Sequence, residues 1–458
     1  MIPPVERIAV LGLGRSGDAV VRWALDRPGA TPADVVVFVE HDTPRLQESA
    51  ARLRSAGVRV ELGAETVPGT DWDLIVASPG IAPSRPLMRS AERTGAPVIS
   101  ELELAYRLSS APFVAVTGTN GKTTTTALVT HLLCESGMEA VAVGNIGVPA
   151  LTAAPAVEAP GVVVAECSSF QLALTADFHP KVAVLLNITP DHVDWHGSLE
   201  AYEADKAKVF DNLQVGDAAV VDVDDAGSSV LADVVAARGV HVVRVGISGG
   251  DARVEGGLLV VDTGQGDTPL IRADELLIRG VHNVSNALAA AAAALIMGAS
   301  PQSVRTGLST FEPIEHRLDP VGTVRGVEYV NDSKATNPDA VMKALTAFGS
   351  TPLVILLGGR NKGNDFRPLA EACAARCRLA VLYGECRAEL EAAFGAAAAP
   401  FISADTMMEA LSRASASALP GDVVVLSPAC ASFDEFSDYE DRGRRFAAAV
   451  IRMSGESR

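Results

Sequence analysis

The segment Gly118-Thr119-Asn120-Gly121-Lys122-Thr123-Thr124 follows the apolar run FVAVT and leads into a stretch of helical composition. A glycine-bearing turn between a strand and a helix aims several backbone N–H groups and the positive helix end at one spot, the geometry that holds phosphate. Lys122 then supplies a point charge to the outer phosphates and the Thr123 hydroxyl an oxygen for Mg²⁺. The full G-x-x-x-x-G-K-[ST] spacing is absent, because position 116 is valine. The reading therefore rests on the strand, loop and helix context, and its plain alternative is a glycine turn with an exposed lysine. Downstream, GVVVAE ends in Glu166, followed by Cys167-Ser168-Ser169-Phe170-Gln171. A carboxylate at a strand end beside a phosphate loop is where Mg²⁺, which takes oxygen ligands, would be held. Alternatively, an acid there serves the dipole of the next helix.

NITPDHVDWH places Asp191, His192, Asp194 and His196 after the run VAVLLNI. His192 and His196 have the i, i+4 spacing of a zinc pair, but no H-E-x-x-H glutamate lies between them and no cysteines surround them. One histidine is expected to meet a second divalent ion or the substrate, and the other to cap or pack. In the helical stretch from Tyr202 to Phe210, Tyr202, Lys206 and Phe210 share a face at i, i+4 and i+8. Lys206 thus lies in an apolar stripe, where spacing alone predicts a snorkelling stem. Near the N-terminus, Gly12-x-Gly14-x-x-Gly17 follows RIAVL, and Glu40 closes VVVFVE. That is the dinucleotide fingerprint, although any diphosphate satisfies the same physics.

The elements that must position these groups are legible as short β-branched runs, each followed by helical composition: RIAVLGLG, DVVVFVE, DLIVASPG, FVAVTGTNG, GVVVAE, VAVLLNI, LVILLGG, LAVLYGE and DVVVLSP. Alternating βα units build parallel sheets, and ligands sit at the carboxyl ends of their strands, where the unusual residues lie. Composition shifts near Ala96-Pro97 and Glu312-Pro313 predict three α/β domains over 1–97, 98–313 and 314–458: Rossmann-like, central P-loop-type with a mainly parallel sheet, and Rossmann-like again. The 458 residues carry 38 basic and 56 acidic side chains, a net charge of −18, with 48% apolar residues. With a mean hydropathy of +0.23, disorder is excluded, and the acidic balance excludes a broad basic face for nucleic acid. Six scattered cysteines with no C-x-x-C pair fit a reducing compartment. The alanine-rich stretch Ala287–Met297 is short of the ~20 residues a bilayer span needs, and MIPPVERIAVLG has no basic region ahead of its apolar run. A cytoplasmic protein with no membrane insertion is expected.

Taken in order, GTNGKTT, the E-x-S-S-F-Q segment at Glu166, NITPDHVDWH, the Lys206 helix and Gly280-Val281-His282-Asn283-Val284-Ser285-Asn286 resemble the Mur ligase family across essentially the whole chain. That resemblance implies ATP-driven amide formation in peptidoglycan precursor synthesis. The third-domain segments NDSKATNP (331–338), GGRNK (358–362) and SPACASF (427–433) resemble those of members adding D-glutamate to UDP-N-acetylmuramoyl-L-alanine. For ATP it implicates Gly118 through Thr124, with Asn283, Asn286, Arg317 and Asp332 on the adenine and ribose side. Two Mg²⁺ ions are implied, one at Thr123 and Glu166, the other near His192 and a Lys206 that CO₂ converts to a carbamate. An anion there could coordinate a metal that an ammonium would repel. Lys122, Glu166, His192 and Lys206 form the implied catalytic set. For D-glutamate it implicates Thr336, Lys362, Ser432, Phe433 and Tyr439, and for the UDP-substrate Arg15, Ser16, Ser78, Asn145 and His192. Glu40-His41-Asp42 departs from the family's Asp-Thr-Arg uridine pattern, so no contact is carried over to it. A monomer is expected. An NAD-dependent oxidoreductase would use the first fingerprint and Glu40 but leaves GTNGKTT, Glu166 and NDSKATN unused; a nucleotide-binding regulator without turnover, or a Mur or folylpolyglutamate-type ligase for another amino acid, are the further alternatives.

Overall fold

A computed structural model describes residues 5–145 and 147–456. Its first sheet is formed by β1 (Ile8–Leu11), β2 (Val35–Val39), β3 (Arg59–Leu62), β4 (Leu74–Ala77) and β5 (Val98–Ser100). All pairings are parallel, in the order 3-2-1-4-5. This is the Rossmann-like arrangement the βα reading expects. The central sheet contains β6 (Phe113–Thr117), β7 (Ala140–Gly144), β8 (Val162–Glu166), β9 (Val182–Leu185), β10 (Ala218–Asp222), β11 (His241–Val245), β12 (Ala252–Glu255), β13 (Leu258–Asp262) and β14 (Asp267–Arg272). Its order is 14-13-12-11-10-9-6-8-7. The third sheet holds β15 (Asp319–Val324), β16 (Val327–Asn331), β17 (Leu353–Gly358), β18 (Cys377–Tyr383), β19 (Phe401–Ser403) and β20 (Val423–Leu426) in the order 15-16-20-17-18-19.

The nine β-branched runs all fold as strands. β1, β2, β4, β6, β8, β9, β17 and β20 are buried at every position. Burial on both faces is what a parallel sheet covered by crossover helices demands, and it removes the polar alternation of a half-solvated strand. The ribbon β12–β13–β14 is different. It pairs antiparallel, turns through Gly256 and Gly257 at φ +58 and +83, and leaves many of its side chains partly exposed. β12 and β14 mix charged with apolar residues, and no helix follows β13, so the ribbon lacks the βα pattern.

The chain forms two compact units, residues 1–275 with 285–309 and residues 276–284 with 310–458. In the first, the helix Glu101–Leu108 connects the first sheet to the central one, capped by the Ser100 hydroxyl, which accepts from the Glu103 amide. Its two acids have opposite environments. Glu103 accepts from the backbone amides of Ala176, Asp177 and Phe178 and from Arg107. Glu101, also buried, accepts among the described residues only from the Leu151 amide at 2.5 Å, and its Oε2 has no partner among them. Burial therefore pushes the Glu101 carboxyl up to about 7. Between pH 4.5 and about 7 the unfolded chain has released a proton that the folded chain keeps, so stability falls as pH rises through that window. Glu101→Gln should flatten this slope, raising the melting temperature at pH 8 relative to the parent more than at pH 5, as thermal unfolding at both values will show. Among the described residues no helix is long and apolar enough to cross a membrane.

Candidate active site

β6 ends at Thr117, and the helix Lys122–Glu135 starts after four intervening residues, with Gly121 in the left-handed region at φ +87 as its cap. A Cβ at Gly121 would collide with the Asn286 amide oxygen. The glycine is thus required by conformation and by space, and Asn286 is seated directly on the loop. Asn120 and Asn187 clasp it reciprocally: the Asn120 amide donates to Asn187 Oδ1 at 2.8 Å, and Asn187 Nδ2 donates to the Asn120 carbonyl at 3.0 Å. Thr119 Oγ1 lies 2.8 Å from the Tyr202 hydroxyl. Lys122 Nζ donates back to the carbonyls of Gly118 and Thr119 at 2.8 and 2.9 Å. Thr124 is buried in the first helical turn.

Glu166 closes β8, the strand beside β6, and is buried. Its Oε2 accepts from the Thr123 hydroxyl at 2.8 Å, and its Oε1 from Asn145 Nδ2 at 3.0 Å. The close approach of Asn145 depends on Gly144, where a Cβ would strike the Glu166 carbonyl. Two oxygens of different residues, 2.8 Å apart beside a phosphate-type loop, are the hard donors that Mg²⁺ takes along with phosphate.

Lys206 does not snorkel. Tyr202, Lys206 and Phe210 share a buried face, as their spacing requires, but the amine is inside with them: Lys206 is 1% exposed and its Nζ donates to the Gly118 carbonyl at 2.7 Å. Burial, then the charge of Lys122, holds its pKa well below the usual lysine value. Burial thus favours the neutral, nucleophilic form of the amine over the ammonium. As an ammonium it would repel a cation; as the carbamate R–NH–COO⁻ formed with CO₂ on release of one proton it would fit one.

His192 sits in the left-handed region at φ 53, 3.6 Å from Asp191, its ring against Phe170 at 4.8 Å. His196 packs, as expected of one of the pair, with its buried ring stacked on Phe170 at 5.4 Å and set edge-on to Tyr202 at 5.2 Å, and it is a hydrogen-bonded junction as well. Its Nδ1 lies 2.8 Å from Asp205 Oδ2 and its Nε2 3.0 Å from Ser169 Oγ. Because the carboxylate accepts, Nδ1 carries a proton, and in the neutral ring Nε2 is the acceptor of the serine hydroxyl. The helix carrying Lys206 is thereby tied to the segment following Glu166. No local spacing signals this, since Ser169 is 27 positions before His196.

The first sheet carries a second glycine turn. A Cβ on Gly12 would lie 2.7 Å from Ser78 Oγ, and one on Gly17 would strike the Gly12 carbonyl. Ser78 Oγ is buried with no partner among the described residues, a hydroxyl in want of an acceptor or donor at the turn. Arg15 opens the following helix and reaches the Gly147 carbonyl at 3.4 Å, with Ser16 half-buried beside it. Glu40, the acid an NAD site would turn to ribose, is engaged by Arg85 at 3.0 Å.

The second unit holds the remaining candidates. Asp332 is buried, accepting from Ser427 Oγ at 2.6 Å and the Leu318 amide at 3.3 Å, and burial pushes it up to about 7. Arg317 lies between His316 and Leu318, both at positive φ, and Asn283 Nδ2 donates to the Arg279 carbonyl at 2.7 Å. Thr336 and Tyr439 are half-buried, Ser432 is buried, Lys362 is exposed, and Phe433 is 62% exposed. The loops after β17 and β20 are joined by two backbone hydrogen bonds between Arg360 and Ala431, and a Cβ on Gly359 would strike the Ala431 carbonyl.

A phosphate-type loop, a buried carboxylate on its threonine and a buried amine on its first carbonyl, gathered at the carboxyl edge of a parallel sheet, define a nucleotide-binding α/β protein of the P-loop class. Family models match along the chain: the Mur ligase MurD-like N-terminal domain over residues 6–100, the Mur ligase middle domain over 116–294, and the Mur ligase glutamate ligase domain over 316–430. The chain belongs to the Mur ligase family. It is similar to a UDP-N-acetylmuramoylalanine--D-glutamate ligase of Pelotomaculum thermopropionicum, 42% identical over 98% of both chains. One of Salinibacter ruber is 42% identical over 97% of both. Among solved structures, MurF from Acinetobacter baumannii aligns with a TM-score of 0.63 at 16% identity, covering 97% of this chain and 93% of that one, a likeness of fold.

Proposed function

We propose that the chain is an ATP-dependent ligase that joins D-glutamate to UDP-N-acetylmuramoyl-L-alanine in the cytoplasm, working as a monomer in the synthesis of a peptidoglycan precursor. The observation that carries this is 42% identity over nearly the full length of relatives bearing that activity in their names. In this reading residues 1–97 hold the UDP-substrate at the Gly12 turn with Arg15, Ser16 and Ser78, residues 98–313 hold ATP, and residues 314–458 hold the amino acid. Asn283, Asn286, Arg317 and Asp332 serve the nucleoside side of ATP. The donor set of Thr123 and Glu166 fits one Mg²⁺, and His192 with the carbamate of Lys206 a second. When bound, these ions offset the charge of the transferring phosphoryl group.

The substrate's terminal carboxylate attacks the γ-phosphorus of ATP in line, with the P–O bond to ADP breaking. Lys122, released from the Gly118 and Thr119 carbonyls, turns to the phosphates. The acyl phosphate is then attacked at its carbonyl by the D-glutamate amine, which Thr336, Lys362, Ser432, Phe433 and Tyr439 orient. A proton leaves the nitrogen, phosphate departs with the C–O electrons, and an amide remains. Lys362 and the hydroxyls suit a dicarboxylic amino acid, since charge-assisted hydrogen bonds fix carboxylates. The test is phosphate release from ATP with Mg²⁺ and UDP-MurNAc-L-Ala, comparing D-glutamate with L-glutamate, D-alanine and L-lysine. Release selective for D-glutamate, with an amide of the correct mass, is expected; ATP binding without turnover on any of them would overturn the assignment.

A further inference from the structure

Arg442, in the helix Tyr439–Glu456, is fully buried, yet no ion pair among the described residues includes it. Its Nε donates to the Ser333 hydroxyl at 2.9 Å, its Nη2 to the Ser333 carbonyl at 2.8 Å, and its Nη1 to the Cys430 carbonyl at 3.1 Å. All three acceptors are neutral. The carboxyls of Asp332 and Glu435 feel its charge without pairing with it, and a buried guanidinium with no direct carboxylate partner is costly, so ion pairing does not account for it. What it offers is a rigid planar fork whose edges carry donors in two directions from a single helix position.

The three segments it joins matter. One edge of the fork grips the loop after β16, which carries Thr336, and the other grips the loop after β20, which carries Ser432. Arg442 itself belongs to the helix that starts with Tyr439, and the Ser333 hydroxyl completes the triangle by donating to the Tyr439 carbonyl at 2.8 Å. Lys334 adds its Nζ 3.7 Å from the centre of the Tyr439 ring. We propose that Arg442 is a positioning residue for the incoming amino acid, setting the relative placement of Thr336, Ser432 and Tyr439 through Ser333 and Cys430. This rests on the D-glutamate reading above.

The experiment is steady-state kinetics on full-length Arg442→Lys and Ser333→Ala, with melting temperatures measured alongside. A lysine keeps the charge but cannot serve both edges of the fork. Arg442→Lys is expected to raise KM for D-glutamate at least about tenfold, the size of one lost charge-assisted hydrogen bond, with KM for ATP and for UDP-MurNAc-L-Ala within about twofold. Ser333→Ala should raise the same constant by less. A folded Arg442→Lys with unchanged KM for D-glutamate, or a parallel rise of all three constants, overturns the inference. Should Arg442→Lys fail to fold, Ser333→Ala decides by the same criteria. Parent protein that turns over without D-glutamate dependence would instead remove the reading beneath, and that is seen before any variant is measured.

Discussion

Replacing Lys206 with alanine is expected to lower turnover by about 10³-fold or more at ambient CO₂, a loss of ~4 kcal/mol of transition-state stabilisation. The expectation comes from where the amine is. It is 1% exposed and bonded to the carbonyl of Gly118, and burial, then Lys122, holds its pKa well below the usual lysine value. On the reading proposed above, this amine adds CO₂ and becomes an anion that would hold a metal ion. Alanine removes that anion, and formate or acetate added at high concentration should restore part of the rate by supplying a free carboxylate in the vacated space. A structural lysine would give a lower melting temperature with no rescue. Near-normal turnover of Lys206→Ala would remove the residue from the metal site altogether.

Glu166→Gln is the second large effect. The side chain keeps its length, but the carboxylate now accepting from both Thr123 and Asn145 becomes an amide, with an NH₂ facing one of two donors. Turnover should fall by about 10²- to 10³-fold, comparable with loss of one preorganised electrostatic contact. The Mg²⁺ concentration giving half-maximal rate should rise, while nucleotide binding measured without Mg²⁺ stays close to that of the parent. Loss of nucleotide binding in the absence of metal would mean that Glu166 shapes the loop rather than holding the ion.

The central features of this site could be read in the sequence because they are local. Gly118 to Thr123 is one turn between a buried run and a helix, and Glu166 ends another such run, so strand polarity alone brings the two to one edge of the sheet. Lys206 was half legible: spacing placed it on the buried face with Tyr202 and Phe210, but the acceptor for its amine is a carbonyl 88 residues away, and without that partner a snorkelling stem is the ordinary expectation. The bonds of His196 to Ser169 and Asp205, and the fork of Arg442, are joins between segments distant in sequence or fixed by tertiary packing. No periodicity announces them. The ribbon β12–β14 escaped for another reason: β12 and β14 mix charged with apolar residues, and the apolar run of β13 is followed by a turn and another strand rather than by a helix.

That ribbon has a consequence for the behaviour of the protein at high concentration. Its outer strand, β14, has Pro269 in its interior, which lacks an amide proton, and the carbonyl of Pro269 is occupied by Arg305 through Nε and Nη2 at 3.0 and 2.8 Å. On the same surface Arg253 holds both Glu255 and Asp267. An open margin of a sheet ordinarily offers a row of free donors and acceptors on which a second chain can lay a strand. Here that row is interrupted within the strand, at Pro269, so the largest sheet of the molecule ends in a border that resists adding copies of itself.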